Sequence, residues 1–496
     1  MTTQPRTYGG WRRSRGIGLF GLGTTATFIL LGLFIMLLIT AAVAPALLLY
    51  LAPLVIAGSA AGLLRKGGVP LLQLGLRRVQ WWRAAHRGWT RYRAQALVAS
   101  AGTGRLPGML AALELLSAED GYGGRYGLVL DRSTGYLTAT LRVVPSSTWL
   151  ADRDDADRWV AAWGSWLAAL GHVPMLRWVT VTVETAPEPG TSLADAVSAA
   201  VDPAAPAQAR DIMTALAAAA PVTAADVDTR ISLTFDPAAS VTRVRNVADA
   251  AAETGRVLHG LQAQLGSCGV TVASRLRSAD IAGVVRAAHD PASRGEIARL
   301  IAESAADEPG LAWAAAGPAG ADELWDRYRH DSGVSVSWGW REAPRSNVHA
   351  DVLARLTAPG AWPKRVSMQF RPLPAATATK VLEHEVQAGE FRAEYARRTH
   401  RDATARDAFD HARARQAAME EAQGAGVTLV SLYVTVTAPD DAALPDATAA
   451  TEAAAGACRI QLQRLYGSQA AAFTVGLPCG ICLPAVAGRP WKGRSS

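Results

Sequence analysis

The sequence predicts an α+β protein: an N-terminal transmembrane helical hairpin followed by cytoplasmic α+β modules with largely antiparallel sheets and long C-terminal helices. Three observations carry this. Residues 17–64 run for 48 positions without one Asp, Glu, Lys, Arg or His. Beyond them, alternating β-type runs about short turns are interleaved with Ala-rich stretches of helical period; the order strand, strand, helix, strand suits helices on one face of an antiparallel sheet. Charge is divided too: 13 basic and no acidic residues precede Glu114, leaving 37 basic against 43 acidic residues in the remainder. A basic head on an acidic body is what a membrane anchor on a cytoplasmic domain would show.

One helix needs roughly 20 apolar residues to cross the hydrocarbon, so the first stretch holds two spans. The break is expected at "AAVAP", around Pro45, where a missing N–H and a fixed φ favour a turn. Arg12, Arg13 and Arg15 lie before the spans and Arg65, Lys66, Arg77 and Arg78 after them, which puts both termini on the cytoplasmic side of the cell membrane. A cleaved signal peptide would have a far shorter apolar region. A soluble core hairpin would not stay apolar on every face.

Next comes "RRVQWWRAAHRGWTRYR", residues 77–93. At 100° per residue Trp81, Trp82, Trp89 and Tyr92 fall within an arc of roughly 100°, with most arginines opposite. This predicts a helix in the headgroup layer, aromatics inward and arginines such as Arg83 and Arg87 on anionic lipid. Nucleic acid would suit the same arginines, but the juxtamembrane position favours lipid and the acidic body argues against duplex binding.

The organisation read from these shifts is a basic N-terminus (1–16), the hairpin (17–64), the juxtamembrane segment (65–104), an α+β domain (105–330), a C-terminal α+β module (331–484) and a tail (485–496). Within the first domain "RYGLVLDRSTGYLTATLRVV" reads as a hairpin about "RSTG", followed by a helix with Trp159, Trp163, Trp166 and Leu170 on one stripe, a core rather than a ligand cage. Two modules of similar plan are expected inside 105–330, with no residue-level repeat visible. In the last module "VSVSWGW" and "WPKRVSMQF" are strands, Ala375 to about Gln423 is a long polar helical run, 427–439 is a strand, and a second long helix runs from about Asp440 to Tyr466. A sheet capped by an antiparallel pair of these helices follows.

Chemistry is harder to find. Four cysteines are too few for a disulfide framework. A P-loop needs Lys followed by Ser or Thr, whereas Lys66, Lys364, Lys380 and Lys492 precede Gly, Arg, Val and Gly, so the chain carries no such ATPase site. No H-E-x-x-H or G-x-S-x-G occurs. His400 and His411, three helical turns apart or roughly 16 Å, cannot share a metal and are read, with Asp402, Asp407 and Asp410, as a solvated face. Cys479 and Cys482 in "GLPCGICLP" are the one remaining candidate: a redox pair wants a helix N-terminus after it and a zinc site a second ligand pair, and neither is visible. The pair is read as structural, with redox or metal use as alternatives. Cys268 is read as a buried thiol.

Two stretches resemble a known family. "VTLVSLYVTVTAPDDAAL" followed by "ACRIQLQRLYGSQAAAFTVGLPCG" is similar to the end of the N-terminal domain of the conjugative ATPases of type IV secretion systems, where a Leu-Pro-x-Gly segment, here Leu477, Pro478, Cys479 and Gly480 after Phe473, leads toward the motor. The "GLVLDRSTGYLTATLRVV" hairpin resembles the opening strands of that domain, and the two-span anchor resembles the small inner-membrane subunit that some systems fuse to the ATPase. Overall the chain resembles actinobacterial conjugative-element membrane proteins that carry this anchor and domain without a motor. The resemblance implies a non-catalytic scaffold without cofactor or metal, oligomeric, that holds a separately encoded motor ATPase and other membrane subunits of a DNA-transfer apparatus. Membrane component E of type VII secretion systems, also two spans before an α+β domain, is the alternative. A membrane-tethered nucleic-acid binder is the alternative of another class.

Overall fold

The computed structural model describes residues 24–43, 64–66, 69–94, 106–119, 124–146, 151–187, 204–219, 225–304, 311–342, 347–398, 405–422 and 426–487, with a few single positions between. The body that follows the N-terminal segment is α+β, built on one large antiparallel sheet. Helix α1 (Thr24–Val43) and α2 (Leu71–His86) precede it, with strands β1 (Arg65–Lys66) and β2 (Val69–Pro70) as a small hairpin between them.

The sheet comprises β3 (Arg91–Arg93), β4 (Leu113–Glu119), β5 (Arg125–Asp131), β6 (Tyr136–Pro145), β7 (Leu176–Pro187), β8 (Ala225–Phe235), β9 (Val270–Arg275), β10 (Gly320–Glu323), β11 (Tyr328–His330), β12 (Gly333–Glu342), β13 (Lys364–Pro372), β14 (Thr428–Ala438) and β15 (Gln461–Arg464). Its order is β3-β10-β11-β12-β14-β13-β7-β8-β6-β5-β4, with β9 beside β6 and β15 beside β12.

This order is one strand plus the same six-strand pattern twice. β4-β5-β6-β8-β7 with β9 on β6 is matched by β10-β11-β12-β14-β13 with β15 on β12, and both outer pairings carry a bulge. The halves meet at β7 and β13, where Thr182 faces Ser367. A two-fold through that point exchanges Thr140 with Ser337 and Ser232 with Thr435. Both pairs are hydrogen-bonded at 2.8 Å. It also exchanges Thr138–Thr234, 2.9 Å apart, with Ser335–Thr437 at 2.8 Å. The repeat therefore relates 113–275 to 320–464, not two modules inside 105–330. The expected boundary at 330/331 falls in the turn between β11 and β12, and one sheet runs through both sides of it.

Local sequence explains the main elements. The Asp131 carboxylate accepts from the Ser133 N–H at 2.8 Å and the Thr134 hydroxyl at 2.8 Å, and Gly135 takes φ 76°, which closes the β5–β6 turn at "RSTG" as expected. Helix α3 (Arg153–Leu170) starts with Asp154 and Asp155 against its dipole and buries Trp166, Leu167 and Leu170. Between β7 and β8 lies α4 (Ala207–Ala219). Helix α5 (Val247–Ala263) is capped by Asn246, whose side chain accepts from the Asp249 N–H at 2.8 Å, and buries Ala250, Thr254, Leu258 and Leu261 at helical spacing. α3 and α5 cover the apolar face of the first half, where each fully buried Leu or Phe contributes roughly 1.5–3 kcal/mol.

Helices α6 (Ser278–His289) and α7 (Arg294–Glu303) follow β9 on the opposite face. The sheet is thus covered on both faces, not one. After β13 the expected single helical run is two helices, α8 (Ala375–Arg398) and α9 (Ala405–Ala422). They are antiparallel, tied by Thr379 to Glu421 at 2.9 Å and Arg415 to Glu390 at 3.3 Å. Ala378, Leu382 and Ala414 are their buried side chains among those described. The second long helix is shorter than expected: α10 (Leu444–Ala457) ends at Cys458 because Arg459 takes φ 57° and turns the chain back. The "QLQR" beyond alternates and pairs as β15 with β12. Last comes α11 (Gln469–Phe473).

In α1 the side chains described, from Leu31 onward, are largely exposed: Leu31, Phe34, Ile35, Met36, Leu38, Ile39 and Val43 range from 41% to 78%. Among the described residues no helix is long and apolar enough to cross a membrane. The expected turn at Pro45 and most of the second span lie outside the described residues.

Candidate functional site

Period-2 alternation puts hydroxyls and charges on one face of the six central strands: Thr138 and Thr140, Thr180, Thr182 and Glu184, Arg230, Ser232 and Thr234, and in the second half Ser335, Ser337, Arg365, Ser367, Gln369, Thr435 and Thr437. In an antiparallel sheet such a face ordinarily meets water. Here all of these residues are buried, beneath α6, α7, α11 and the segment 474–483.

Three means compensate for the burial. Hydroxyls pair across strands, including Thr182 with Ser367 at 3.0 Å on the two-fold itself. Side chains also reach the covering segment. Trp178 Nε1 donates to the Gly480 carbonyl at 3.2 Å and Gln369 Nε2 to the Ile481 carbonyl at 2.7 Å, while Gln469 Oε1 accepts from the Ser337 N–H at 2.8 Å. Charges pair as well: Arg230 donates to Glu184 and, at 2.6 Å, to Asp228, and Arg294 to Glu184 at 2.9 Å and Asp226 at 2.8 Å. Burial alone would raise the Glu184 carboxyl, but the fields of Arg230, Arg294 and Arg365 hold it far below the usual carboxylate range. The two-fold places Gln369 where the first half has Glu184. Each therefore ties the segment that follows the polar-face helix of its own half, α7 in one and residue 481 in the other.

The resemblance residues sit in this cover. Phe473 and Leu477 are core residues beside α6, Pro478 is buried, and Gly480 crosses the sheet at φ 67°. A Cβ on Gly480 would overlap Thr138 Oγ1 and come within 2.7 Å of Thr234 Oγ1. Gly480→Ala is expected to destabilise the chain by about 2–3 kcal/mol, from overpacking plus left-handed strain, measured by urea unfolding. A change below about 0.5 kcal/mol would mean that the segment is not anchored there.

At the rim of this layer stand two buried histidines. His330 Nδ1 faces the His289 carbonyl at 2.7 Å, so it carries the proton, and Nε2 accepts from Ser335 at 2.8 Å. His289 Nδ1 donates to the Val285 carbonyl at 2.8 Å. Rings of Tyr328 and Phe473 pack about them. Burial first of all drives His289 down to about 3 and His330 to about 4, so both are neutral at pH 7.

No family model and no curated protein matches this chain. What the site can do rests on its geometry.

All four cysteines are buried free thiols, and burial pushes Cys479 up to about 12, far from the thiolate that redox or zinc chemistry uses. Among the described residues no group of three or more His, Cys, Asp or Glu is placed to hold a metal. His400, and the side chains of His411, Asp407 and Asp410, lie outside the described residues.

The aromatics of residues 77–93 do not share one face. α2 ends at His86, a turn follows, and Tyr92 lies in β3, paired with Ala321 of β10. Trp81 packs edge-on to Trp325 with centroids 6.0 Å apart, and Arg78 lies over both rings. Only Trp82 at 57% and Trp89 at 68% stand out, with Arg83 and Arg87 exposed beside them. The helical arc fails because Gly88, at φ 71°, ends the helix and β10 offers a strand to pair with.

Sequence reasoning missed Glu184, Arg230, Arg294, Arg365, His289 and His330. The available signal was charge inside strong strand patterns, as in "VTVTVETA" and "TRISLTF", and the repeated His-Asp step at 289–290 and 330–331.

Proposed function

We propose that this protein is a non-catalytic membrane scaffold of a conjugative, type IV-like transfer apparatus, and that it docks a separately encoded motor ATPase. The observation that carries the reading is an exposed apolar helix followed along the chain by a basic segment that is built into the sheet. α1 presents bare apolar side chains, and the basic segment after it is built into the sheet, through β3 on β10 and Trp81 on Trp325. Exposed apolar surface of that kind is stable against lipid rather than water. A basic segment paired into the sheet gives a membrane anchor before it a fixed attachment to the body. The polar α8–α9 pair, with few buried side chains among those described, offers a surface for a partner. Trp82, Trp89, Arg83 and Arg87 suit an anionic lipid surface beside the anchor.

The test is purification of the full chain from native membranes, with mass spectrometry of what accompanies it. A motor ATPase is expected in the complex, and no ATP turnover that tracks with this chain alone. Absence of any ATPase, or turnover by the isolated chain, would overturn the proposal. Small secreted helical-hairpin substrates with a mycosin-like protease would point to the type VII reading, and salt-sensitive DNA binding below micromolar affinity to a nucleic-acid tether.

A further inference from the structure

We infer that the seam between the two repeats holds a small monovalent anion, of chloride size, against the guanidinium of Arg365. Three guanidinium groups converge there, those of Arg230, Arg294 and Arg365. Glu184, the one buried carboxylate among the described residues, has both oxygens engaged, Oε2 by Arg230 and Oε1 by Arg294. Asp228 and Asp226 complete those two pairs.

Arg365 has no such partner among the described residues. It is 5% exposed, its Nε and Nη2 meet no acceptor there, and its guanidinium lies 4.4 Å over the Phe473 ring. Glu184 stands opposite it across β7 and β13 and lends it a favourable field, but both carboxylate oxygens are taken, and a buried guanidinium with N–H groups left unpaired is costly. Burial accordingly lowers Arg365 to about 10, which leaves it charged at pH 7.

A void of about 20 Å³ adjoins the same group, lined by Arg365, Arg294, Glu184, Thr435 and Thr437 among others. Roughly 10–15 Å³ is room for one water-sized occupant, so the void takes one small monatomic anion at most. Water would satisfy an N–H, whereas an anion satisfies it and gives Arg365 a counter-charge that it does not share with Arg230 and Arg294. The two-fold puts Thr180 at the position equivalent to Arg365, so this cation belongs to one half alone. The inference does not depend on the membrane reading.

The test compares thermal unfolding of the full-length chain, in mild detergent, in sodium chloride and in sodium gluconate at equal ionic strength. Binding to the folded state alone raises Tm with ligand concentration, and a rise of about 2–4 °C between about 5 and 200 mM chloride is expected, reproduced by bromide and lost in Arg365→Met. If Arg365→Met does not fold, a bromide-soaked crystal decides, with an anomalous peak expected in the void. Equal curves in the two salts, or no bromide peak beside Arg365, would mean the void holds water and would overturn the inference.

Discussion

Acidification from pH 7 to pH 5 is expected to cost the fold about 4 kcal/mol through His289 and His330 alone. Both rings are held neutral by burial, His289 at about 3 and His330 at about 4, while in the unfolded chain each takes a proton near the ordinary 6.5. Below that value the unfolded state binds more protons than the folded one, so stability falls with pH. The loss begins near 6.5 and continues until the folded values are reached. Each histidine contributes about 1.4 kcal/mol per pH unit inside the window, and about 2 kcal/mol by pH 5. Groups facing the pair are Arg286, Arg365, Asp290 and Asp331; Arg365 opposes protonation of both rings, while the two carboxylates favour it at His330. The measurement is urea unfolding at pH 7, 6 and 5 for the native chain and for His289→Leu, which should lose about half of the slope. An unchanged slope in that variant would show that other groups carry the acid sensitivity.

Glu184→Gln is expected to destabilise the chain by about 3–5 kcal/mol. Its carboxylate is the shared partner of Arg230, whose side chain is 2% exposed, and of Arg294, and it lies in the field of Arg365. A neutral amide would leave three guanidinium groups in the seam with their innermost counter-charge removed. Asp226→Asn is the internal control, since that side chain is 51% exposed and its pair with Arg294 is screened, so under about 1 kcal/mol is expected. Similar losses in the two variants would mean that the seam admits water and that Glu184 is not a buried hub. The triad need not be a net source of stability, because well-packed apolar residues can replace such groups at little cost. What it does is hold the start of α7 in a defined place over the sheet.

Much of the strand content was legible. The "RSTG" turn, the alternation of β6, β7, β8, β13 and β14, and the stripe of Trp166 and Leu170 all follow from periodicities that local sterics impose. Two boundaries were not. The run past Ala457 keeps helix-forming residues, and only the unusual φ of Arg459, stabilised by β15 pairing on β12, ends the helix. Trp81, Trp82, Trp89 and Tyr92 fit a helical arc on paper, yet β10, more than 200 residues away, supplies an edge that makes a strand of Arg91–Arg93.

The candidate site was the least legible part. Thr, Ser, Arg and Glu in alternate strand positions carry the same local signal whether that face meets water or a second layer. Hence nothing local in the sequence marks Glu184 and Arg365 as the core residues they are in the fold. "GLPCGICLP" stood out for its two cysteines, but its tertiary role rests on Gly480, which lets the backbone cross against Thr138 and Thr234.

By itself the sequence determined the apolar head, the basic collar, the lack of a P-loop lysine and the strands, because each is a property of neighbours along the chain. Only the tertiary structure decided that the two halves repeat about Thr182 and Ser367 and that the polar face is sealed. Both depend on which strands meet across the sheet, and that is set by long-range packing that no local pattern encodes.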